Sequence, residues 1–91
     1  VSDRPYSQRT QEGGVIIRTF SGVLDDVELK WHRDARDREV TFLSGEGWSL
    51  QLEGGLPRRA TPGMSVLIPR DAWHRLLREG TGDLLVRIRE M

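Results

Sequence analysis

Short apolar stretches, cut by glycine and proline, run the length of this sequence. VIIRTF, residues 15–20, is β-branched and aromatic and stops at Ser21-Gly22. DDVELKWH, residues 25–32, alternates strictly: Val27, Leu29 and Trp31 fall on one face of an extended chain, and Asp26, Glu28, Lys30 and His32 on the other. REVTFL (38–43) reads as a strand before an SGEG turn. WSLQL (48–52) alternates with Trp48, Leu50 and Leu52 together, and GGLP (54–57) turns again. MSVLI (64–68), a near-continuous apolar run, predicts a strand buried on both faces. WHRLL (73–77) and LLVRIRE (84–90) complete the set, with GTG (80–82) between them. Turn signals at a spacing of roughly 8–12 residues predict an all-β sandwich or barrel.

The polar N-terminal residues 1–14 end in Gly13-Gly14 and predict a flexible arm, leaving residues 15–91 as one domain. RDARDRE, residues 33–39, has no apolar stripe and predicts a solvated loop that screens the barrel mouth. In the last strand Arg87 and Arg89 alternate with Val86 and Ile88, the pattern of an edge or surface strand with one polar face.

Composition narrows the possible partners. Fourteen basic and fourteen acidic residues give a formal net charge of zero, which argues against nucleic acid as the main partner. No segment approaches the ~20 apolar residues that would cross a bilayer, so no membrane partner is expected. The N-terminus carries no apolar run of the secretory kind. With no cysteine, the fold uses no disulfide, thiolate ligand or cysteine nucleophile, and a cytoplasmic setting is expected.

The chemistry gathers around two histidines. Pro62-Gly63 suits the centre of a type II turn, since proline fixes φ and glycine accepts φ > 0. Pro69 ends the strand that follows, because it cannot donate to a ladder. Arg70-Asp71-Ala72 makes a bend, with aspartate tolerant of left-handed geometry, and His74 opens the next strand. On alternation His74, Leu76 and Arg78 share one face of it, and Trp73, Arg75 and Leu77 the other.

The spacing G-x5-P-x4-H, carried by Gly63, Pro69 and His74, resembles the second motif of the cupins, which are small antiparallel jelly-roll barrels. Asp71 stands where that family has a middle glycine. Upstream, ELKWHRDARDREVTFLSGEG (28–47) is similar to the first motif, with His32 at its second histidine and Gly45 at its closing glycine. Lys30 replaces the first histidine, and Arg38 occupies the glutamate position, with Glu39 one residue on. The resemblance implies a jelly roll of about eight strands over residues 15–90.

It also implies a divalent metal (Zn, Fe, Mn or Ni) held by His32, His74 and Glu39, the last brought inward by a β-bulge near residues 37–39. Lys30 and Arg38 oppose a cation there. A second reading uses those charges. A mouth lined by Lys30, His32, Arg38 or Arg75, and His74 would clamp a small anionic metabolite without a metal. That site could be a binding or sensing module, or His74 or His32 could act as a general base. The bland alternative is a pair of barrel histidines hydrogen-bonded to Glu28 or Glu39. With Lys30 and His32 facing inward, Val27, Leu29 and Trp31 would face outward, and covering them predicts a homodimer.

Overall fold

The computed structural model describes residues 6–22 and 29–91. Among these residues eight strands form two antiparallel sheets: β1 (Tyr6–Thr10), β2 (Val15–Phe20), β3 (Arg38–Ser44), β4 (Trp48–Leu52), β5 (Arg58–Arg59), β6 (Ser65–Ile68), β7 (His74–Arg78) and β8 (Leu84–Glu90). The larger sheet runs β1-β2-β8-β3-β6 and the smaller β5-β4-β7. Their order makes a jelly roll whose sheets close on one another without continuous strand pairing among the described residues. No helix there is long and apolar enough to cross a membrane.

The alternation read from the sequence builds the core. On β8, Leu84, Val86 and Ile88 point inward, facing Phe42 and Val40 of β3. From the smaller sheet Trp48 and Leu50 meet them, and Phe20 lies 6.2 Å from Trp48, ring to ring. Trp48 is buried with its one polar atom satisfied: Nε1 donates to the Gly82 carbonyl at 2.8 Å. Gly22, just past β2, lies so close to the 81–83 loop that a Cβ would overlap the Thr81 and Gly82 carbonyls. Its N–H donates to Asp83 Oδ1 at 2.9 Å, tying the end of β2 to the start of β8.

Three expectations are corrected. Residues 6–10 are an edge strand paired with β2 rather than part of a loose arm. Their polar side chains suit a solvated edge, and a turn with left-handed Gly13 and Gly14 returns the chain. β6 buries only Val66 and Ile68, while Leu67 stays 56% exposed, because an edge strand of an open sandwich has one inner face. β8, flanked by β2 and β3, is a surface strand rather than an edge, with Arg87 and Arg89 on the outer face of the sheet as its alternation predicts. Finally, the strand expected over 25–32 is not continuous. Residues 25–28 lie outside the described residues, and 29–32 contribute only a bridge at His32.

Candidate metal and ligand site

Two corners of the chain meet at the mouth of the sandwich. His32 and His74 pair as an antiparallel bridge, with reciprocal backbone hydrogen bonds of 2.9 and 2.8 Å. Their rings lie on the same side, with centroids 4.2 Å apart. Cation–π contacts brace this bridge: Arg75 lies 4.7 Å from the Trp31 ring and Arg33 5.2 Å from that of Trp73. The 33–37 loop is also fastened. Asp71 N–H donates to the Asp34 carbonyl at 2.8 Å, and Arg70 N–H to Asp37 Oδ1 at 2.7 Å. Asp71 has φ 63°, left-handed geometry at the position where the family motif has glycine.

Each histidine is oriented by the carbonyl two residues before it. His32 Nδ1 lies 3.0 Å from the Lys30 oxygen, and His74 Nδ1 lies 2.9 Å from the Ala72 oxygen. A carbonyl only accepts, so Nδ1 carries the hydrogen in both rings. A neutral imidazole then presents a lone pair at Nε2. His74 is buried, and burial pushes its pKa below the usual histidine value. The Ala72 carbonyl and Asp34 pull it back up, while His32 and Arg38 add to the lowering.

Asp34 completes the cluster. Its Oδ2 lies 3.2 Å from His74 Nε2 and 3.3 Å from Arg38 Nη1, yet it is buried and neither contact is aligned as a hydrogen bond. One donor atom from each of His32, Asp34 and His74 lies within 4.8 Å of the others. Two histidines and a carboxylate are a donor set suited to a divalent transition metal.

Arg38 sits on the same wall, where Nη2 donates to Glu90 Oε1 at 3.1 Å. Its charge is therefore shared between two carboxylates rather than turned undivided on the donor cluster. Lys30 lines the cavity but is exposed. Behind these groups a cavity of about 650 Å³ opens between the sheets. Its wall is mainly apolar, including Phe20, Val40, Phe42 and Val86, with Arg18 of β2 also facing it.

The proposed residues therefore divide. His32, His74, Lys30 and Arg38 all line the cavity. Glu39 does not: it is paired with Leu67 and Arg89 on the opposite face of β3 from Arg38 and Val40. The register shift in β3 falls between Phe42 and Ser44, too far along to turn Glu39 inward. Arg75 also lies off the cavity, on the far face of β7 from His74, donating to Gln51 Oε1 at 2.9 Å. The histidines' partners are backbone carbonyls and Asp34 rather than Glu39, and Glu28 is outside the described residues. Leu29 lines the cavity instead of facing outward with Trp31, and Val27, the third member of the apolar stripe, lies outside the described residues.

Asp34 and Arg18 were missed. Asp34 was legible as His-x-Asp, a spacing that puts both side chains on one side of an extended segment. Arg18 was legible as the one charge in VIIRTF, in phase with Ile16 and Phe20.

Solved structures share this architecture. A cupin domain from Bordetella pertussis aligns over 100% of this chain and 99% of its own, at 19% identity and TM-score 0.63. The chain has a cupin fold. The DMSP lyase DddQ from Ruegeria pomeroyi aligns with this chain at TM-score 0.74 and 18% identity, over 96% of this chain and 47% of the lyase. The structure of FeII HppE aligns at TM-score 0.68 and 14% identity, over 94% and 50%. The chain thus spans about half the length of these two proteins. No family model matches the sequence, and no curated protein is significantly similar to it. At these identities the likeness carries the fold.

Proposed function

We propose that this cupin holds a divalent metal on His32, Asp34 and His74 and binds a small polar or anionic metabolite in the adjoining cavity. The observation that carries this reading is the contact between Asp34 Oδ2 and His74 Nε2 at 3.2 Å. With Nδ1–H fixed on the Ala72 carbonyl, Nε2 presents a lone pair to a carboxylate oxygen that has no aligned donor. Arg38 stands on one side of Oδ2 at 3.3 Å, and a cation held by both facing lone pairs would complete the cluster. A proton on His74 is disfavoured by burial, so a metal fits the gap better.

Such a metal would supply Lewis-acid or redox chemistry at open coordination positions. The chain's own contribution is to fix two imidazole tautomers through the Lys30 and Ala72 carbonyls, to offset Arg38 with Glu90, and to surround the ligand with an apolar wall. That DddQ is a lyase and HppE an iron(II) protein supports a metal-assisted reading in a related fold.

The test is metal content after purification without added metal. The expected result is near-stoichiometric divalent metal, lost in His74→Ala and in Asp34→Asn but retained in Glu39→Gln. Metal that survives both cluster substitutions would refute the assignment. A second reading draws on Lys30 and Arg38, which line the same cavity: a metal-free module that binds or senses an anion. It is favoured if the protein carries no metal yet gains thermal stability with anionic metabolites.

A further inference from the structure

Arg18 is a charge with no obvious reason to be where it is. It sits mid-strand on β2, in register with Val86 of β8 on one side and Gln8 of β1 on the other. Alternation puts it on the same face as Phe20, which is in the core, and it is half-buried at the cavity wall. A half-buried guanidinium loses solvation and needs compensation.

The direct contacts are neutral, and the carboxylates of Asp34 and Glu90 act on the charge only from beyond ion-pair distance. Nε donates to Gln8 Oε1 at 2.8 Å, and the guanidinium plane lies 4.1 Å from the centre of the Tyr6 ring. Neither contact neutralises the charge. Arg38, the other guanidinium on this wall, has Asp34 and Glu90 within 3.3 and 3.1 Å. Arg18 has no carboxylate within ion-pair distance among the described residues, since every ion pair there involves Asp34 or Glu90 with Arg38 or His74. Gln8 takes Nε and Tyr6 covers one face, so the pair holds the group in a set orientation and leaves its Nη edge to bind. An oriented guanidinium at an apolar wall is built for a planar bidentate acceptor.

We infer that Arg18 anchors the carboxylate of a small amphiphilic acid whose apolar body lies along the cavity toward His32, Asp34 and His74. This rests on the reading of the cavity as a small-molecule site. It adds the ligand's chemical class and the end at which it is held. Among the described residues Arg18 is a cavity guanidinium with no carboxylate within ion-pair distance, and one such group matches one carboxylate. The apolar wall of Phe20, Val40, Phe42 and Val86 favours an aliphatic or aromatic body over a sugar. The cavity, at about 650 Å³, falls within the size range of small-ligand sites.

The test compares hexanoate, hexan-1-ol and hexylammonium by NMR titration of the protein as purified and after treatment with a chelator. Wild type should prefer hexanoate in both states, with the Arg18 Nε–H resonance shifting on binding. Arg18→Gln should lose about tenfold or more of hexanoate affinity while keeping its affinity for hexanol. Arg18→Lys should recover part of the loss, and both variants should keep wild-type metal content.

A hexanoate preference that survives Arg18→Gln overturns the inference. So does a wild type that prefers hexanol or binds none of the probes. If His74→Ala abolishes hexanoate binding and Arg18→Gln does not, the anion sits on the metal cluster and the inference is again wrong. If instead the protein proves metal-free and Arg18→Gln still loses hexanoate, the metal reading fails and the Arg18 anchor stands.

Discussion

The site depends on one atom pair, and its pH behaviour follows from it. His74 Nε2 and Asp34 Oδ2 lie 3.2 Å apart, a distance that would suit an ion pair if the ring were protonated. Burial argues the other way and outweighs the carboxylate, so the native pKa falls below the ordinary histidine value of 6.5. A group whose pKa is lower in the folded state takes up protons more readily once unfolded. Its contribution to stability is complete above about pH 6.5 and is lost as pH falls through the native value. Metal-free wild type should therefore lose denaturant midpoint between pH 7 and 5 more steeply than His74→Gln. Equal slopes would mean that folding leaves the imidazole's pKa unshifted. Protons and metal compete for the same nitrogen, so metal affinity should fall over the same range. The histidines were legible in the sequence because the turn, the proline and the strand around His74 each have local causes. The His-x-Asp spacing at Asp34 was masked by the mixed-charge run around it. Such a run usually faces water, and here the bonds from Asp71 N–H to the Asp34 carbonyl and from Arg70 N–H to Asp37 Oδ1 fold it onto the site.

Among the elements, the strands read best where alternation met a two-sided environment. Residues 15–20, 48–52 and 84–90 form β2, β4 and β8 as expected, each presenting one row of apolar side chains to the core. β1 was illegible because its stability is borrowed. Tyr6–Thr10 has no apolar face of its own and is ordered by backbone pairing with β2. The strand predicted over 25–32 failed in its described part for a related reason. Leu29 and Lys30 both line the cavity, which strict alternation forbids. The closest packing between elements is at Gly22, and its cause is steric rather than conformational. Gly22→Ala would drive a methyl group into the Thr81 and Gly82 carbonyls and strain the Gly22 N–H bond to Asp83. The expected loss is about 2–4 kcal/mol, from overpacking plus a weakened charge-assisted hydrogen bond, read from chemical denaturation. Gly54→Ala, at a position with open space around it but φ 77°, would suffer backbone strain alone and should lose about 1–2 kcal/mol. If the order were reversed, the approach of β2 to the 81–83 loop would not be a packing constraint.

At the scale of the whole molecule, the cavity and the core compete for the same residues. Phe42, Val86 and Leu50 belong to the buried cluster and also line the 650 Å³ cavity. A chain of 91 residues has little core to spare, and atoms facing unfilled space lose dispersion contacts. The fold should therefore be marginal without its ligands and firm with them. Mass action sets the size of the effect. A ligand at a hundred times its Kd adds about 2.7 kcal/mol. In a domain this small each kcal/mol moves Tm by about 4–8 °C. Saturating Zn²⁺ or Co²⁺ should thus raise the Tm of the metal-free protein by about 10–20 °C, and Asp34→Asn should abolish most of that rise. The carboxylate matters more here than either imidazole's position. The Lys30 and Ala72 carbonyls hold the two rings whether or not a cation is present, whereas Asp34 Oδ2 has no aligned partner until one arrives. A Tm that rises equally in the Asp34→Asn variant would place the stabilising metal elsewhere on the molecule.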